Sequence, residues 1–205
     1  RVMQPYYQDD QITIYHGDCR EILPLVQPAV IVSDPPYGLA SAYGRLSRVI
    51  PGDDDAALSD WLVTGWSDRL PMAIFADNMR GPIGRPRRQL VWDKAAFGLS
   101  GSDLPWINGH EIVWIYGHGW SGRKRGTVLR TPRLQNPDHP TEKPPRLLQR
   151  IIDCAPPGLV CDPFMGGGST LRAAKNLNRN AIGIELEERW CERAALAMAQ
   201  EVLAL

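Results

Sequence analysis

Four consecutive residues, Asp34-Pro35-Pro36-Tyr37, follow the apolar run Ala29-Val30-Ile31-Val32-Ser33. Asp34 offers carboxylate oxygens and Pro35 a backbone carbonyl, so two acceptors stand side by side. The Pro35 ring fixes φ and helps aim that carbonyl, and Pro36 restricts Pro35 further. Tyr37 adds a flat face for stacking. Such a set suits an exocyclic amine on a nucleobase, whose lone pair is delocalised into the ring. Acceptors on both N–H bonds draw the nitrogen towards a tetrahedral shape and free the lone pair. A base inside a duplex has to be flipped out to reach such a site. The same tetrapeptide could instead be a strand-ending turn with a packed Tyr.

A second stretch, LVCDPFMGGGSTLRAAKNLNRNAIGIELEE, begins at Leu159. A strand runs into Asp162-Pro163-Phe164, three glycines follow (Gly166, Gly167, Gly168), and Ser169-Thr170 opens a helix. Glycines at a strand-to-helix turn let backbone approach a ligand closely. A second strand, Ala181–Ile184, ends at Glu185, and an acidic residue about 20 positions beyond such glycines can accept from ribose hydroxyls. No Lys follows the glycines, so this is not a phosphate-binding P-loop, and G-x-G-x-x-G is absent too. The pattern points to a nucleoside-containing cofactor. A tight turn with a capped helix, and Glu185 simply favouring the start of the last helix, remain open readings.

These groups must be positioned by the elements between them. Short apolar, β-branched runs occur at Ile12–Tyr15, Ala29–Ser33, Met72–Ala76, Gln89–Trp92, Glu111–Tyr116, Leu159–Cys161 and Ala181–Glu185. Several are continuous rather than alternating, as in strands covered on both faces. Helical patterns fall between them: Leu58 to Leu70, Arg146–Cys154 after Pro144-Pro145, Ser169–Asn178 and Glu187–Leu205. The alternation predicts an α/β domain with a mostly parallel sheet. In open sheets of this kind ligands collect outside the carboxyl ends of the strands, where both Asp34 and the glycine loop belong.

Composition narrows the class. The chain has 205 residues, 43% apolar and 22% charged, as expected for one globular domain. No apolar run reaches membrane-span length, and the opening RVMQPYYQDD lacks an apolar signal core, which argues against secretion. Cys19, Cys154, Cys161 and Cys191 have no C-x-x-C spacing and read as reduced thiols, consistent with a cytoplasmic setting. The four histidines form no ligand cluster with them, so no metal is expected. Net charge is zero, yet Arg80–Arg150 holds 13 Lys/Arg against 5 Asp/Glu. That excess suggests a polyanion footprint, with solvated loop charge as the alternative.

With these motifs assembled, the chain resembles DNA amino-methyltransferases that use S-adenosylmethionine, in their permuted β group, from about Ile12 to Leu205. The resemblance rests on DPPY at 34–37, DPFMGGGST at 162–170 and His139-Pro140-Thr141-Glu142-Lys143-Pro144 ahead of the loop. It implies a Rossmann-like methyltransferase fold: a seven-stranded, mostly parallel sheet with one antiparallel strand, Glu111–Tyr116, and circularly permuted motif order. The strand from Leu159 becomes the first, that ending at Glu185 the second, Ile12–Tyr15 the third and Ala29–Ser33 the fourth. It implies a single catalytic domain over 1–205, with target recognition in a short insertion, about 117–138. The Asp form of DPPY is similar to adenine-N6 enzymes.

The resemblance also implies roles. Asp34, Pro35, Pro36 and Tyr37 form the catalytic segment, with Asp34 and Pro35 receiving the amine and Tyr37 stacking on the base. Asp162, Phe164, Gly166, Gly168 and Ser169 hold the cofactor, Glu185 its ribose and Asp18 its adenine, while Lys143 and Thr141 meet its amino-acid end. Asp18 also fits a plain N-cap on Cys19–Leu23, and Lys143 a surface lysine before a proline-started helix. DNA contacts fall to Arg123, Lys124, Arg125, Arg130 and Arg133, then Arg45 and Arg48, then Arg85, Arg87 and Arg88. Gly167 stands where the family more often has a small hydroxyl residue. The short recognition stretch implies brief or relaxed recognition of double-stranded DNA, or a second subunit, as in a homodimer. Restriction partner, epigenetic mark and phage self-protection all fit.

Three other readings fit parts of the sequence. Cytosine N4 could be served by the same acceptors. A nicotinamide-dependent oxidoreductase fits the glycine loop and Glu185 but leaves Asp34–Tyr37 unexplained. A DNA-binding module without catalysis leaves the glycine loop unexplained.

Overall fold

The computed structural model describes residues 3–36, 56–76, 81–95, 109–134 and 142–200. Tyr37, Arg45, Arg48 and Thr141 lie outside these residues.

All seven expected strands form, within a residue or two of their expected bounds. They are β2 (Ile12–His16), β3 (Val30–Ser33), β4 (Met72–Ala76), β5 (Arg88–Asp93), β6 (His110–Tyr116), β8 (Val160–Asp162) and β9 (Ala181–Glu185). Two short strands extend the expected seven to nine. β1 (Tyr7–Gln8) pairs antiparallel with β2, and β7 (Val128–Arg130) pairs parallel with β5. The order is β1-β2-β9-β8-β3-β4-β6-β5-β7. β2, β9, β8, β3 and β4 run parallel, and β6 is antiparallel to both β4 and β5. The permuted order therefore holds: the strand leading into the glycine loop lies directly beside the strand leading into Asp34.

Helices cover both faces. They are α1 (Cys19–Ile22), α2 (Ala56–Trp66), α3 (Pro145–Ile152), α4 (Ser169–Lys175) and α5 (Glu188–Gln200). β3 and β4 are buried along their whole length, which explains their continuous apolar sequence. Their side chains sort by the two-residue period. Val30, Val32, Ala73 and Phe75 join the core under α3, α4 and α5, with Leu147, Ile151, Ala174 and Met198. Ile31, Met72 and Ile74 join the other core, with Leu23 and Leu62. No helix among the described residues is long and apolar enough to cross a membrane.

Two glycines have steric reasons. Gly183, in the middle of β9, would carry a Cβ 2.3 Å from Met165 Sδ and 2.9 Å from Leu171 Cδ1, so its hydrogen lets the loop pack on the strand. Gly168 caps α4 with φ +85°, and a Cβ there would sit 3.0 Å from Ala194 Cβ. An L-residue meets both the left-handed penalty and α5 at that point.

Candidate active site

The parallel strands all discharge onto one edge of the sheet. Because β6 is antiparallel, its first residues, His110 and Glu111, reach that same edge beside the end of β5 (Asp93 pairs His110, Trp92 pairs Glu111). Groups from β2, β9, β8, β3, β5 and β6 are thereby brought to one rim.

At the centre, β3 passes Ser33 into Asp34, and β8 passes Asp162 into the glycine loop. The Ser33 hydroxyl donates to Asp162 Oδ1 at 2.6 Å, and the same oxygen accepts the Phe164 N–H at 3.1 Å. One buried carboxylate thus ties the end of β3 to the loop. Burial pushes the Asp162 carboxyl up to about 6, against hydrogen bonds from Ser33, Thr170 and the Phe164 amide. A carboxyl raised from 3.8 in the fold makes folding more favourable as pH falls from about 6 to 3.8, and costs stability above that window. Asp162→Asn should flatten this part of the stability–pH curve by an amount of order 3 kcal/mol. Chemical denaturation of parent and variant across that range measures it; identical slopes would assign the effect elsewhere.

Pro35 is buried beside Asp34, and the Pro36 carbonyl accepts from Ser59 Oγ at 2.6 Å. The segment is thus held from α2 as well as from its own strand. Asp34 Oδ2 is in contact with the ammonium of Lys143, which stands 5.3 Å from the Phe75 ring centroid. The side chain expected at the cofactor is therefore packed against Asp34. Behind it, Glu111 Oε2 makes a 3.3 Å ion contact with Lys143, and Glu111 Oε1 lies 2.7 Å from Lys94 Nζ. Sequence reasoning passed over Ser33, Ser59, Lys94 and Glu111. The available signal was a charge set against a run of apolar strand residues, as in Leu90-Val91-Trp92-Asp93-Lys94 and Glu111-Ile112-Val113.

On the loop side, Glu185 accepts from the Gly166 amide at 2.9 Å and the Glu187 amide at 2.8 Å. Ser169 Oγ donates to Glu142 Oε1 at 3.2 Å, joining the loop to the segment that carries Lys143. Gly166 takes φ +50°. Asp18 is the N-cap of α1: it accepts the Arg20 amide at 2.8 Å and pairs with the Arg20 guanidinium. That hydrogen bonding holds the Asp18 carboxyl below its usual range. β2 and β9 are paired, His16 opposite Glu185, so two acceptor-only carboxylates stand at adjacent strand ends. This donor–acceptor chemistry fits the hydroxyls and amine of a nucleoside. It suits the pyrophosphate of a dinucleotide poorly, since carboxylates repel phosphate.

Of the basic residues, Arg85, Arg87, Arg88, Arg123, Lys124, Arg125, Arg130 and Arg133 are all exposed. Arg125 pairs with Asp153, Arg130 with Asp93, and Arg87 contacts His118. Val128–Arg130 is a strand within the stretch read as a loop, so Arg130 projects from the sheet edge. Among the described residues no group of three or more His, Cys, Asp or Glu could hold a metal.

This rim, with a carboxylate and a glycine loop on neighbouring parallel strands, defines a methyltransferase-type α/β site, and comparison with known proteins agrees. Residues 105–197 match the N6/N4 DNA methylase family model. YubD of Escherichia coli strain K12, whose name assigns it as a methylase, is 30% identical over 195 residues, spanning 85% of this chain and 84% of that protein. The type II methyltransferase M.ScaI of Streptomyces caespitosus is 22% identical over 277 residues, 98% of this chain and 86% of its own. The chain belongs to the N6/N4 family of DNA amino-methyltransferases. Its fold is shared with the M1.HpyAVI complex with S-adenosylmethionine (TM-score 0.65, 24% identity, 89% of this chain and 98% of that one). It is shared also with the cytosine-N4-specific PvuII DNA methyltransferase (TM-score 0.69, 17% identity, 95% and 88%).

Proposed function

We propose that the chain transfers a methyl group from S-adenosylmethionine to the N6 amine of an adenine flipped out of double-stranded DNA. The observation that carries this reading is the hydrogen bond from Ser33 to Asp162, which fixes the Asp34 acceptor next to the glycine loop. When bound, the cofactor supplies an electrophilic methyl group on a sulfonium. Glu185 accepts from its ribose hydroxyls and Asp18 from its adenine. Asp162, Phe164, Gly166, Gly168 and Ser169 form the loop that holds it. Thr141 and Lys143 take its amino-acid end; Lys143 also touches Asp34, so one side chain serves both halves of the site.

Asp34 accepts one N–H of the target amine and the Pro35 carbonyl the other, with Pro36 holding the turn. The nitrogen lone pair is thereby withdrawn from the aromatic ring and made nucleophilic. An N–C bond to the methyl would form as its bond to sulfur breaks, S-adenosylhomocysteine would leave, and the surplus amine proton would pass by way of Asp34 to solvent. A carboxylate has about four lone-pair sites, so contact with Lys143 does not exhaust Asp34. Tyr37 stacks on the extruded base. Arg123, Lys124 and Arg133, with Arg125 and Arg130 on release from their carboxylate partners, attract DNA phosphates, as do Arg45 and Arg48. Domain 1–205 is read as one catalytic unit with recognition in 117–138, working alone or as a homodimer.

Asp34 favours adenine; the likeness to a cytosine-N4 enzyme keeps N4 as the second reading. Labelled methyl transfer to duplex oligonucleotides lacking adenine or lacking cytosine, with mass identification of the modified nucleoside, decides between them. N6-methyladenine is expected. N4-methylcytosine alone would replace the base assignment, and no transfer to either duplex would refute the proposal.

A further inference from the structure

Lys94, Glu111, Lys143 and Asp34 form a chain of alternating charge: 2.7 Å from Lys94 to Glu111, 3.3 Å from Glu111 to Lys143, then direct contact from Lys143 to Asp34. Their side chains are only 4, 18, 8 and 20% exposed in that order. Lys143 and Asp34 alone would already be neutral. The second pair is not needed for charge balance, and replacing such a pair with apolar residues is often as stable. Its physical effect falls on Lys143. We propose that Glu111 and Lys94 are positioning residues that keep the Lys143 ammonium charged and fixed beside Asp34, so that Asp34 stays an acceptor. This rests on the reading of Asp34 as the acceptor for the target amine.

The geometry supports a clamp. A lysine stem is long and flexible, but Lys143 is held by Asp34 from the end of β3, Glu111 from β6 and the Phe75 ring from β4. Burial opposes its charge, yet Asp34 and Glu111 outweigh burial and raise its pKa. Burial also opposes ionisation of Glu111, and Lys143 and Lys94 outweigh it. Lys94 is lowered by burial despite Glu111, with Arg133 and Lys143 pushing the same way. The Asp34 charge in turn pushes the buried Asp162 carboxyl up.

The two outer members therefore control opposite limbs of a pH–rate profile. The test is single-turnover methyl transfer by the full chain across pH, with S-adenosylhomocysteine binding and thermal melting measured alongside. Glu111→Gln removes one carboxylate that holds Lys143 and should bring an alkaline loss of activity down by about one pH unit or more. Lys94→Met removes one of two cations from Glu111 and should move the acid loss of activity upward instead. Cofactor affinity near neutral pH, where Lys143 keeps its charge in both variants, should stay within about threefold, because Glu185, Asp18 and the Lys143 ammonium are all retained there. A packing role alone would lower the melting temperatures and leave both limbs in place; that result, or limbs moving in one direction together, overturns the proposal. If Glu111→Gln melts below the assay temperature, Glu111→Asp decides: its carboxylate is drawn back from Lys143, so an alkaline limb moved down supports the proposal and parent limbs overturn it. Asp34→Asn keeps the two failures apart, since near-parent turnover there would dismiss the acceptor reading whatever Glu111 does.

Discussion

Asp34→Ala is expected to lower single-turnover methyl transfer by about 10³-fold or more, while S-adenosylhomocysteine binds as tightly as to the parent within about threefold. The reason is local. The target nitrogen needs an acceptor on each N–H bond, and alanine leaves only the Pro35 carbonyl. The cofactor loop is held separately: Asp162 keeps Ser33 and the Phe164 amide, and Glu185 keeps the amides of Gly166 and Glu187. Alanine also takes one anion from Lys143, but Glu111 remains within 3.3 Å. The stability loss should therefore fall below the 3–5 kcal/mol typical of an ammonium left without any partner. Asp34→Asn retains one acceptor oxygen without the charge, so its activity should lie between alanine and parent. A rapid-quench assay with labelled methyl donor, paired with calorimetry, measures both quantities. Turnover near the parent value in the alanine variant would remove Asp34 from the chemistry.

The strands and the two loops of the candidate site are legible in the sequence for identifiable reasons. Strands buried on both faces declare themselves as continuous apolar runs, and Val30–Ser33 and Met72–Ala76 are of that kind. Asp34 and the three glycines stood out because prolines and glycines at strand ends are costly unless they shape a turn. Val128–Arg130 escaped notice because it is three residues long and set in RKRGTVLRTPR, where the sheet edge rather than its own pattern makes it a strand. Tyr7–Gln8 is shorter still. Lys94 and Glu111 are 17 residues apart and meet only because β5 and β6 are antiparallel with Trp92 opposite Glu111. Lys143 and Asp34 are separated by 109 positions. Register across a sheet is a property of pairing, and no single strand carries it.

The second large effect concerns Glu185. Glu185→Ala should weaken S-adenosylhomocysteine binding by about 100-fold, the loss expected for hydrogen bonds from hydroxyls to a charged acceptor. The pH dependence gives the assignment its sharper form. Burial raises the Glu185 carboxyl above its usual 4.5, partly offset by the amides of Glu187 and Gly166, with the charge of Glu187 pushing it further up. The ionised form is the one that accepts from ribose hydroxyls. As pH falls through the raised value, the carboxylate protonates and cofactor affinity is lost, starting above 4.5. Folding responds with the opposite sign. A carboxyl whose folded value lies above its unfolded one makes the protein alone more stable as pH falls through the same window. The cofactor-induced rise in melting temperature should therefore shrink on acidification while the cofactor-free melting temperature gains from this group. Glu185→Gln should lose both trends together. If its cofactor-induced shift still declines with acid as in the parent, the ribose contact belongs to another residue.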